Sequence, residues 1–264
     1  MTIRVGVFGA AGRMGRTVCQ AVVEDPELEL VAAVDLHHAG LDLRQVTGID
    51  LDLSISSTAD ALGDAGAQVA IDFTEAHAAR ENLTWCAANG VHAVVGTTGL
   101  TDADLDRVRR VFRTSNCVVA PNFAIGAVLM MRFAEMAAPY FETAEIIELH
   151  HEEKRDAPSG TALMTLARMA EASSDWIPDS TTDLVLPGAR GAKGPAGIPV
   201  HSVRLRGLVA HQEVLLGTTG QSLSIRHDSY DRSSFMPGVL LATKAVADRP
   251  GLTVGLDTLL GLRD

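Results

Sequence analysis

One short stretch in the second half of this sequence combines residues suited to acid–base chemistry with residues suited to anion binding. They are His150, His151, Lys154, Ser159, Gly160 and Thr161. An imidazole can exchange protons near neutral pH, and an ammonium group can hold a carboxylate or give a proton. The last three residues follow a proline and precede an apolar run, which predicts a helix N-terminus with free N–H groups. The stretch therefore predicts a site that binds and protonates a small dicarboxylate.

Two other functions are compatible with these residue types, a metal site and a surface loop. Residues 150–153 are all of metal-ligand type, but four consecutive residues cannot easily converge on one ion, and the usual spaced pattern is missing. We therefore expect no metal. A surface loop with incidental charges is disfavoured by the adjacent lysine and helix start. If the strand before His150 and His151 stays extended, the two imidazoles point to opposite faces, so one of them faces the chemistry directly.

A glycine-rich turn lies near the start of the chain, between an apolar run and a helical pattern. Its residues are Gly9, Ala10, Ala11, Gly12, Arg13, Met14 and Gly15. Glycines at this spacing allow a tight turn and a close approach of the backbone to a pyrophosphate, which a helix N-terminus attracts. Asp35 ends the next strand, where a carboxylate would bind the ribose hydroxyls. The motif predicts a dinucleotide site; a plain turn with a solvated carboxylate is the alternative.

The acid at the end of this second strand also bears on the choice of cofactor. Asp35 favours NAD because a carboxylate repels the extra phosphate of NADP. Arg13, His37 and His38 could soften that preference, although the two histidines are better explained as ordinary surface residues.

Two later turns also follow predicted strands. Their residues are Gly96, Thr97 and Thr98 in the first, and Ala120, Pro121, Asn122 and Phe123 in the second. In a doubly wound sheet the carboxyl ends of the strands are where ligands bind. Simple turn chemistry explains the same residues equally well.

The pattern of elements changes near Asn122. Before it, strands and helices alternate, which predicts an α/β domain with a doubly wound parallel sheet covered on both faces. After it come helices at about 127–140 and 162–172, an irregular stretch at 187–197, and runs of period two from Val200 with a hairpin turn at 218–221. That half is α+β with a mixed or antiparallel sheet. A last helix is predicted at about 234–247, returning to the first domain.

The amino-acid composition limits the classes of molecule that the protein can bind and the compartment in which it works. The chain has 264 residues, a formal net charge of −11, 47% hydrophobic and 21% charged residues, and three widely spaced cysteines. A negative surface of this size disfavours nucleic acid and anionic membranes as partners. The cysteine pattern predicts buried free thiols and a reducing compartment, and the N-terminus shows no secretory pattern. We therefore expect a cytoplasmic protein.

The sequence resembles the 4-hydroxy-tetrahydrodipicolinate reductase (dihydrodipicolinate reductase) family, in its actinobacterial branch, over nearly the whole chain. The matching stretches are VGVFGAAGRMG, AIDFT, VVGTTG, APNFAIGAVLM, IIELHHEEKRDAPSGTAL and GLVAHQEVLLGTTGQSLSIRHDSYDRSSFMPGV. The run E-x-H-H-x-x-K-x-D-A-P-S-G-T is the most specific of them. The resemblance implies reduction of a cyclic 2,6-dicarboxylate with NADH and/or NADPH in lysine and diaminopimelate biosynthesis.

The resemblance also implies residue roles. His150 would be the proton donor and acceptor and Lys154 a proton donor. The substrate carboxylates would be bound by His151, Ser159, Gly160 and Thr161. The residues of the three turns, with Asp35, would line the cofactor, and Arg232 and Phe235 would lie in a hinge segment near it. A Rossmann-like domain at 1–122, joined by residues 233–264, would precede a substrate-binding and oligomerisation domain at 123–232. The implied assembly is a homotetramer formed through the sheet of the second domain.

Two departures from the family pattern affect these expectations. Leu36 stands where many relatives have an arginine that helps to accept NADP, so NADH gains weight. Glu152 and Glu153 stand between the histidines and Lys154, and we expect their carboxylates to face solvent, since they would otherwise repel the substrate. A related cyclic imine reductase and a non-catalytic nucleotide-sensing module are the alternative functions.

Overall fold

The structure, a computed structural model, describes residues 2–262 and divides them into two compact units. The first unit comprises residues 2–123 and 235–262, and the second comprises residues 124–234.

Strands and α-helices alternate along the chain as far as residue 193, and consecutive strands follow. The strands of residues 2–262 are β1 (Ile3–Phe8), β2 (Leu28–Val34), β3 (Ile55–Ser56), β4 (Val69–Asp72), β5 (His92–Val95), β6 (Cys117–Val119), β7 (Thr143–His150), β8 (Ala192–Lys193), β9 (Pro199–Arg204), β10 (Ala210–Thr218), β11 (Gln221–Ser229) and β12 (Leu252–Val254). The α-helices are α1 (Arg13–Glu24), α2 (Leu43–Thr47), α3 (Asp60–Asp64), α4 (Ala76–Asn89), α5 (Asp102–Val111), α6 (Ile125–Ala137), α7 (Gly160–Ala172) and α8 (Met236–Ala245). Short 3₁₀ turns lie at Ala138–Tyr140, Pro195–Gly197, Arg232–Phe235 and Val246–Asp248.

The first unit is built on a seven-stranded parallel sheet in the order β12-β6-β5-β4-β1-β2-β3. Its central strands are continuous apolar runs, and all four residues of β4 are buried, as expected when both faces of a parallel sheet are covered. The predicted doubly wound α/β fold is thereby confirmed. Its strands end at one edge, where the turns after β1, β2, β4 and β5 lie.

The end of the chain differs from the sequence-based prediction. The helix expected at about 234–247 is α8, flanked by 3₁₀ turns, and the chain then adds β12, which pairs in parallel with β6. Three residues are too few to show a period of two, so the pattern could not reveal this edge strand.

The second unit is a five-stranded mixed sheet in the order β11-β10-β7-β9-β8, with β7 and β9 parallel and the other neighbours antiparallel. Its core is formed by alternate residues of the sheet and by helices α6 and α7, including Ile146, Leu166, Met169 and Val214. The predicted hairpin is confirmed, since Thr218 pairs with Gln221 around Gly220, whose φ is +80°. The α+β class predicted for this half is confirmed.

The glycine- and proline-rich stretch at 187–197 is less irregular than expected. Residues Ala192–Lys193 form β8, which pairs with β9, and the 3₁₀ turn Pro195–Gly197 follows. Gly191 allows this approach, because its φ is +66° and a Cβ there would lie 2.5 Å from the carbonyl oxygen of Val200.

All three cysteines are buried and free, as predicted. Burial raises the pKa of the Cys19 thiol to about 12, so it stays protonated and unreactive at neutral pH. Among the helices of residues 2–262, none has the length and apolar character needed to cross a membrane.

Candidate active site and dinucleotide site

His150 is the last residue of β7, and its imidazole lies beside a carboxylate two residues earlier on the same face of the strand. The Nδ1 atom of His150 is 2.5 Å from Oε2 of Glu148. The side chain of Glu148 is 0% exposed, whereas that of His150 is 14% exposed. The imidazole is therefore anchored on its inner side.

Arg204, the last residue of β9, completes the anchor. Its Nη1 and Nη2 atoms donate to the two carboxylate oxygens of Glu148 at 2.9 and 2.8 Å. Nη2 also donates to the carbonyl oxygen of Asp156 at 2.7 Å, and the N–H of Ser159 donates to Oε1 of Glu148 at 3.3 Å. One buried ion pair therefore contacts the end of β7, the loop after it and the start of α7.

The charges in this cluster shift two pKa values. Burial disfavours the ionised form of Glu148, but the hydrogen bonds from Arg204, Ser202 and His150 outweigh it and hold the pKa of Glu148 below its ordinary value. Burial also lowers the pKa of His150; the carboxylate of Glu148 opposes this shift, whereas Lys154 and Arg204 reinforce it. The carboxylate is thus ionised and the imidazole is largely neutral at pH 7.

Lys154 lies in the loop after β7. Its Nζ donates to both carboxylate oxygens of Asp156, at 2.8 and 2.9 Å, and its side chain is 20% exposed while that of Asp156 is 66% exposed. The hydrogen bond from Lys154 lowers the pKa of Asp156. Because Asp156 presents an exposed carboxylate to the ammonium, a substrate carboxylate could take its place.

The predicted substrate-binding residues lie on either side of this loop. His151 follows β7 and is exposed. Ser159 is buried and caps α7, since its Oγ accepts from the N–H of Ala162 at 3.2 Å. Gly160 and Thr161 begin the helix, and a Cβ added at Gly160 would have open space around it. The first N–H groups of a helix lack intrahelical acceptors, so this end of α7 can receive an anion.

The two glutamates of the loop face solvent, as expected. Glu152 and Glu153 are both exposed, and Oε1 of Glu152 is 3.3 Å from Nε of Arg206.

The glycine turn of the first unit has the geometry of an anion cradle. Gly9 has a φ of +69°, and a Cβ at Gly15 would lie 1.9 Å from the carbonyl oxygen of Gly9, so a side chain cannot fit there. Helix α1 begins after Gly12 without a side-chain cap, which leaves its first N–H groups available for a phosphate. Ala10 and Ala11 are buried under the turn.

The carboxylate of Asp35 accepts hydrogen bonds from groups of the first unit. Its Oδ2 accepts from the N–H of Ala11 at 3.2 Å, and its Oδ1 accepts from the N–H of His37 at 3.0 Å and from Nδ1 of His38 at 2.9 Å. Burial opposes its ionisation, but these hydrogen bonds lower the pKa of Asp35 below its usual value. His38 is therefore more than the ordinary surface residue expected from the sequence. Leu36 is 72% exposed beside it.

A buried aspartate organises the turns at the ends of β4 and β5. Asp72 accepts hydrogen bonds from the N–H and Oγ1 of Thr74, from Nδ2 of Asn82 and from Oγ1 of Thr97. Gly96 is required next to it, because a Cβ there would lie 2.1 Å from the ring of Phe73.

The remaining predicted cofactor residues differ in how far they are buried. Ala120 and Phe123 are buried, and the ring of Phe123 packs at 5.6 Å from that of Phe73. Thr98 and Pro121 are exposed, and Asn122 is half-buried. Arg232 is exposed and Phe235 half-buried in the 3₁₀ turn where the two units join in sequence.

A cavity of about 830 Å³ lies in the first unit. Of the predicted cofactor residues, its lining includes Gly9, Gly12, Arg13, Met14, Gly15 and Asp35. The turns at 96–98 and 120–123 are not part of that lining. Thr74, Asn82 and Trp85 line the cavity although the sequence motifs did not single them out; the run AIDFT at the end of β4 was the available signal. The cavity and the uncapped helix start fit a dinucleotide.

Three residues of the second-unit cluster were missed as well. Glu148 shares the face of His150 by its spacing of two, and Asp156 lies two residues from Lys154, so both could have been found. Arg204 could not, because it is 56 residues away from Glu148. Residues 2–262 contain no cluster of His, Cys, Asp and Glu side chains that could hold a metal ion.

Sequence comparisons cover both units. The family described as dihydrodipicolinate reductase, N-terminus, matches residues 3–123, and the one described as dihydrodipicolinate reductase, C-terminus, matches residues 126–260. The chain is 51% identical to the 4-hydroxy-tetrahydrodipicolinate reductase of Mycolicibacterium vanbaalenii, over 99% of this chain and 100% of the relative. It is also 51% identical to that of Cutibacterium acnes, over 98% of this chain and 99% of the relative.

A solved structure agrees with these matches. The dipicolinate-bound dihydrodipicolinate reductase from Paenisporosarcina sp. TG-14 superimposes with a TM-score of 0.86 at 41% identity, over 98% of this chain and 99% of that one. With both halves matched and the fold shared from end to end, the chain belongs to the dihydrodipicolinate reductase family.

Proposed function

We propose that this protein reduces 4-hydroxy-tetrahydrodipicolinate to tetrahydrodipicolinate with NADH or NADPH, a step of lysine and diaminopimelate biosynthesis. The family and the full-length relatives support this activity. The observation that carries the proposal is the contact of one buried pair, Glu148 and Arg204, with His150, the loop of Lys154 and the start of α7. A cyclic dicarboxylate requires cations, an anion-binding helix end and a proton source, and this cluster supplies them.

The first unit is the dinucleotide-binding half of this proposal. The cradle at Gly9, Gly12 and Gly15 and the start of α1 would hold the pyrophosphate, and Asp35 would lie at the ribose. When bound, the reduced nicotinamide supplies a hydride. Asp35 followed by the apolar Leu36 favours NADH, since a carboxylate repels the additional phosphate of NADPH.

The second unit would bind the substrate and handle its proton. Lys154 exchanges the carboxylate of Asp156 for one of the substrate, while His151 and the N–H groups at Gly160 and Thr161 hold the other. The bound dianion is stabilised by this positive environment. Each turnover consumes one hydride and one proton, and water leaves from the hydroxylated ring. The ammonium of Lys154 and the protonated fraction of His150 supply the proton.

We also propose an oligomeric state and a cellular location for the protein. Ile147 and Leu149 alternate with buried residues of β7, so they lie on the face of the sheet opposite α7 and are only half-buried, while Leu215 of β10 is 37% exposed. These partly exposed hydrophobic side chains support a homotetramer formed through the second unit. Light scattering should give about four times the chain mass of 27.9 kDa; a monomeric mass would refute it. We also propose a cytoplasmic location.

A coupled assay tests the activity. The substrate is generated by a synthase in the cuvette, and loss of nicotinamide absorbance is followed with NADH and with NADPH. We expect turnover with both and a higher kcat/KM with NADH. Tight NADH binding without turnover on any dicarboxylate would instead indicate a non-catalytic nucleotide sensor. Turnover confined to other cyclic imino acids would indicate a related imine reductase.

A further inference from the structure

The buried carboxylate beside His150 has donors at both of its oxygens. Oε1 of Glu148 accepts from the N–H of Ser159 and from Nη2 of Arg204, and Oε2 accepts from Nη1 of Arg204 and faces Nδ1 of His150. A buried carboxylate is tolerated when it is paired and hydrogen-bonded in this way. Because an ionised carboxylate can only accept, Nδ1 of His150 must be the atom that carries the proton.

This assignment fixes the chemistry of the other ring nitrogen. A neutral imidazole with its proton on Nδ1 has a lone pair on Nε2, and a charged one has a proton on both atoms. With Nδ1 bound to Glu148, proton exchange with any ligand takes place at Nε2. The opposite tautomer would place two lone pairs, those of Nδ1 and Oε2, against each other at hydrogen-bond distance.

Arg204 makes this arrangement rigid. It lies in register with His150 across β7 and β9, and its guanidinium is bonded to both oxygens of Glu148, to the carbonyl of Val203 and to the carbonyl of Asp156. The carboxylate therefore cannot rotate away from His150 without breaking several hydrogen bonds. The same guanidinium holds the loop that carries Lys154.

We propose that Glu148, held by Arg204, is a positioning residue that keeps the proton of His150 on Nδ1 and so makes Nε2 the atom that exchanges protons with the substrate. The role of Nε2 rests on the function proposed above, whereas the position of the proton does not. Buried carboxylate partners of histidine orient the ring and set its basicity in many sites.

The charged groups that face His150 come from three elements: Glu148 from β7, Arg204 from β9 and Lys154 from the loop after β7. The carboxylate favours the imidazolium, and the two cations disfavour it. Replacing the carboxylate by a neutral group therefore lowers the pKa of His150, and the limb of the pH profile that reports this residue moves to lower pH.

The first experiment observes the wild-type protein with the ion pair intact. Protein labelled with ¹⁵N in histidine is studied by long-range ¹H–¹⁵N correlation above pH 7.5, and His150→Gln identifies the signals among the nine histidines. We expect the His150 ring to be protonated on Nδ1 and unprotonated on Nε2. A ring protonated on Nε2 alone would overturn the proposal, whether or not the protein turns over the proposed substrate.

The second experiment measures kinetics of Glu148→Gln. We expect kcat to fall about 100-fold, as for loss of a positioned acid–base group, with the His150 limb moved to lower pH and the dissociation constant of NADH unchanged. Glu145→Gln is the matched control, since Glu145 lies on the same strand and is also bonded to an arginine and a histidine. We expect its kcat and pH profile to match the wild type.

Two outcomes of the kinetics would overturn the proposal. One is a folded Glu148→Gln enzyme with kcat within about threefold of wild type, well short of the effect of an acid–base group. The other is a lower kcat with an unmoved pH profile, which a purely structural role would produce. If Glu148→Gln does not fold, Arg204→Lys keeps one cation at the carboxylate but removes the paired contact that holds it; we expect a lower kcat with Nδ1 still protonated, and an unchanged kcat with an unchanged pH profile would refute the role of the pair.

Discussion

Strand β7 carries two clusters of the same composition, three residues apart and on opposite faces. In one, Glu148 is bonded to Arg204 and His150; in the other, Glu145 is bonded to Arg190 and His201. In both, hydrogen bonds from the arginine and from neighbouring side chains overcome burial and lower the pKa of the carboxyl group. Composition alone therefore does not distinguish them.

Their surroundings do distinguish them. Glu148 is 0% exposed and also accepts from the start of α7, while Glu145 is 31% exposed and its arginine is shared with Asp179 beside a cavity of about 530 Å³. The first cluster fixes main-chain segments that carry candidate site residues. The second joins the sheet to two irregular segments, those of Asp179 and Arg190, that carry no candidate site residue. An ion pair therefore positions a site when it is also bonded to the backbone around that site.

The largest expected difference between the clusters is in catalysis. His150→Ala should lower kcat by about 100- to 10,000-fold, the range of a positioned acid–base group, with NADH affinity retained. His201→Ala should leave kcat within about twofold, far below the effect of such a group. Steady-state kinetics and NADH fluorescence titration measure both quantities. Near-normal turnover in His150→Ala would remove the basis for treating the two clusters differently.

Stability should differ next. Glu148→Ala leaves the guanidinium of Arg204, whose side chain is 19% exposed, without its carboxylate and should cost about 3 kcal/mol of the free energy of unfolding. Glu145→Ala breaks a partly exposed pair and should cost about 1 kcal/mol or less. Urea unfolding followed by tryptophan fluorescence gives both values. Equal losses in the two variants would show that burial of Glu148 does not matter.

The sequence predicted the local parts of the first cluster but not its assembly. The strand ending at His150 and the helix starting after Ser159 follow from apolar periodicity and capping preference. The partner of Glu148 depends on the parallel register of β7 and β9, across a connection that contains α7 and β8. No local pattern encodes that register.

The parallel sheet of the first unit shows the same limit. The glycine turn and the acid after β2 were identifiable because each is local to one strand end. The hydrogen bonds from Asn82 and Thr97 to Asp72 join three separate segments of the chain, and they become visible only when β4 and β5 are neighbours.

The two clusters should also differ in the pH range over which acid reduces the stability of the protein. The pKa of His150 is lowered in the folded protein, so its contribution to stability is present above about pH 6.5, the ordinary value, and is lost as the pH falls through the lowered value. The lowered pKa of Glu145 contributes stability above about pH 4.3 that is lost at lower pH. His150→Asn should therefore reduce the stability lost between pH 7 and pH 5, and Glu145→Gln only that lost at lower pH.

Urea midpoints at pH 7, 6, 5 and 4 measure these losses. A His150→Asn variant that loses as much stability as the wild type between pH 7 and pH 5 would contradict the assignment. So would a Glu145→Gln variant whose loss changes in that same window.

The smallest expected difference concerns the aspartates attached to each cluster. Asp156 accepts from Lys154 and is 66% exposed, so Asp156→Asn removes a competitor for the ammonium and raises the local positive charge. The Michaelis constant for the dianionic substrate should fall about threefold at low salt, and the effect should shrink at 0.5 M salt, because exposed charges are screened. Asp179→Asn, beside Arg190, should leave the Michaelis constant unchanged at either salt concentration. A rise in the constant for Asp156→Asn would mean that Asp156 orients Lys154 for the substrate instead of competing with it, and the carboxylate would then belong with Glu148 among the groups that build the site.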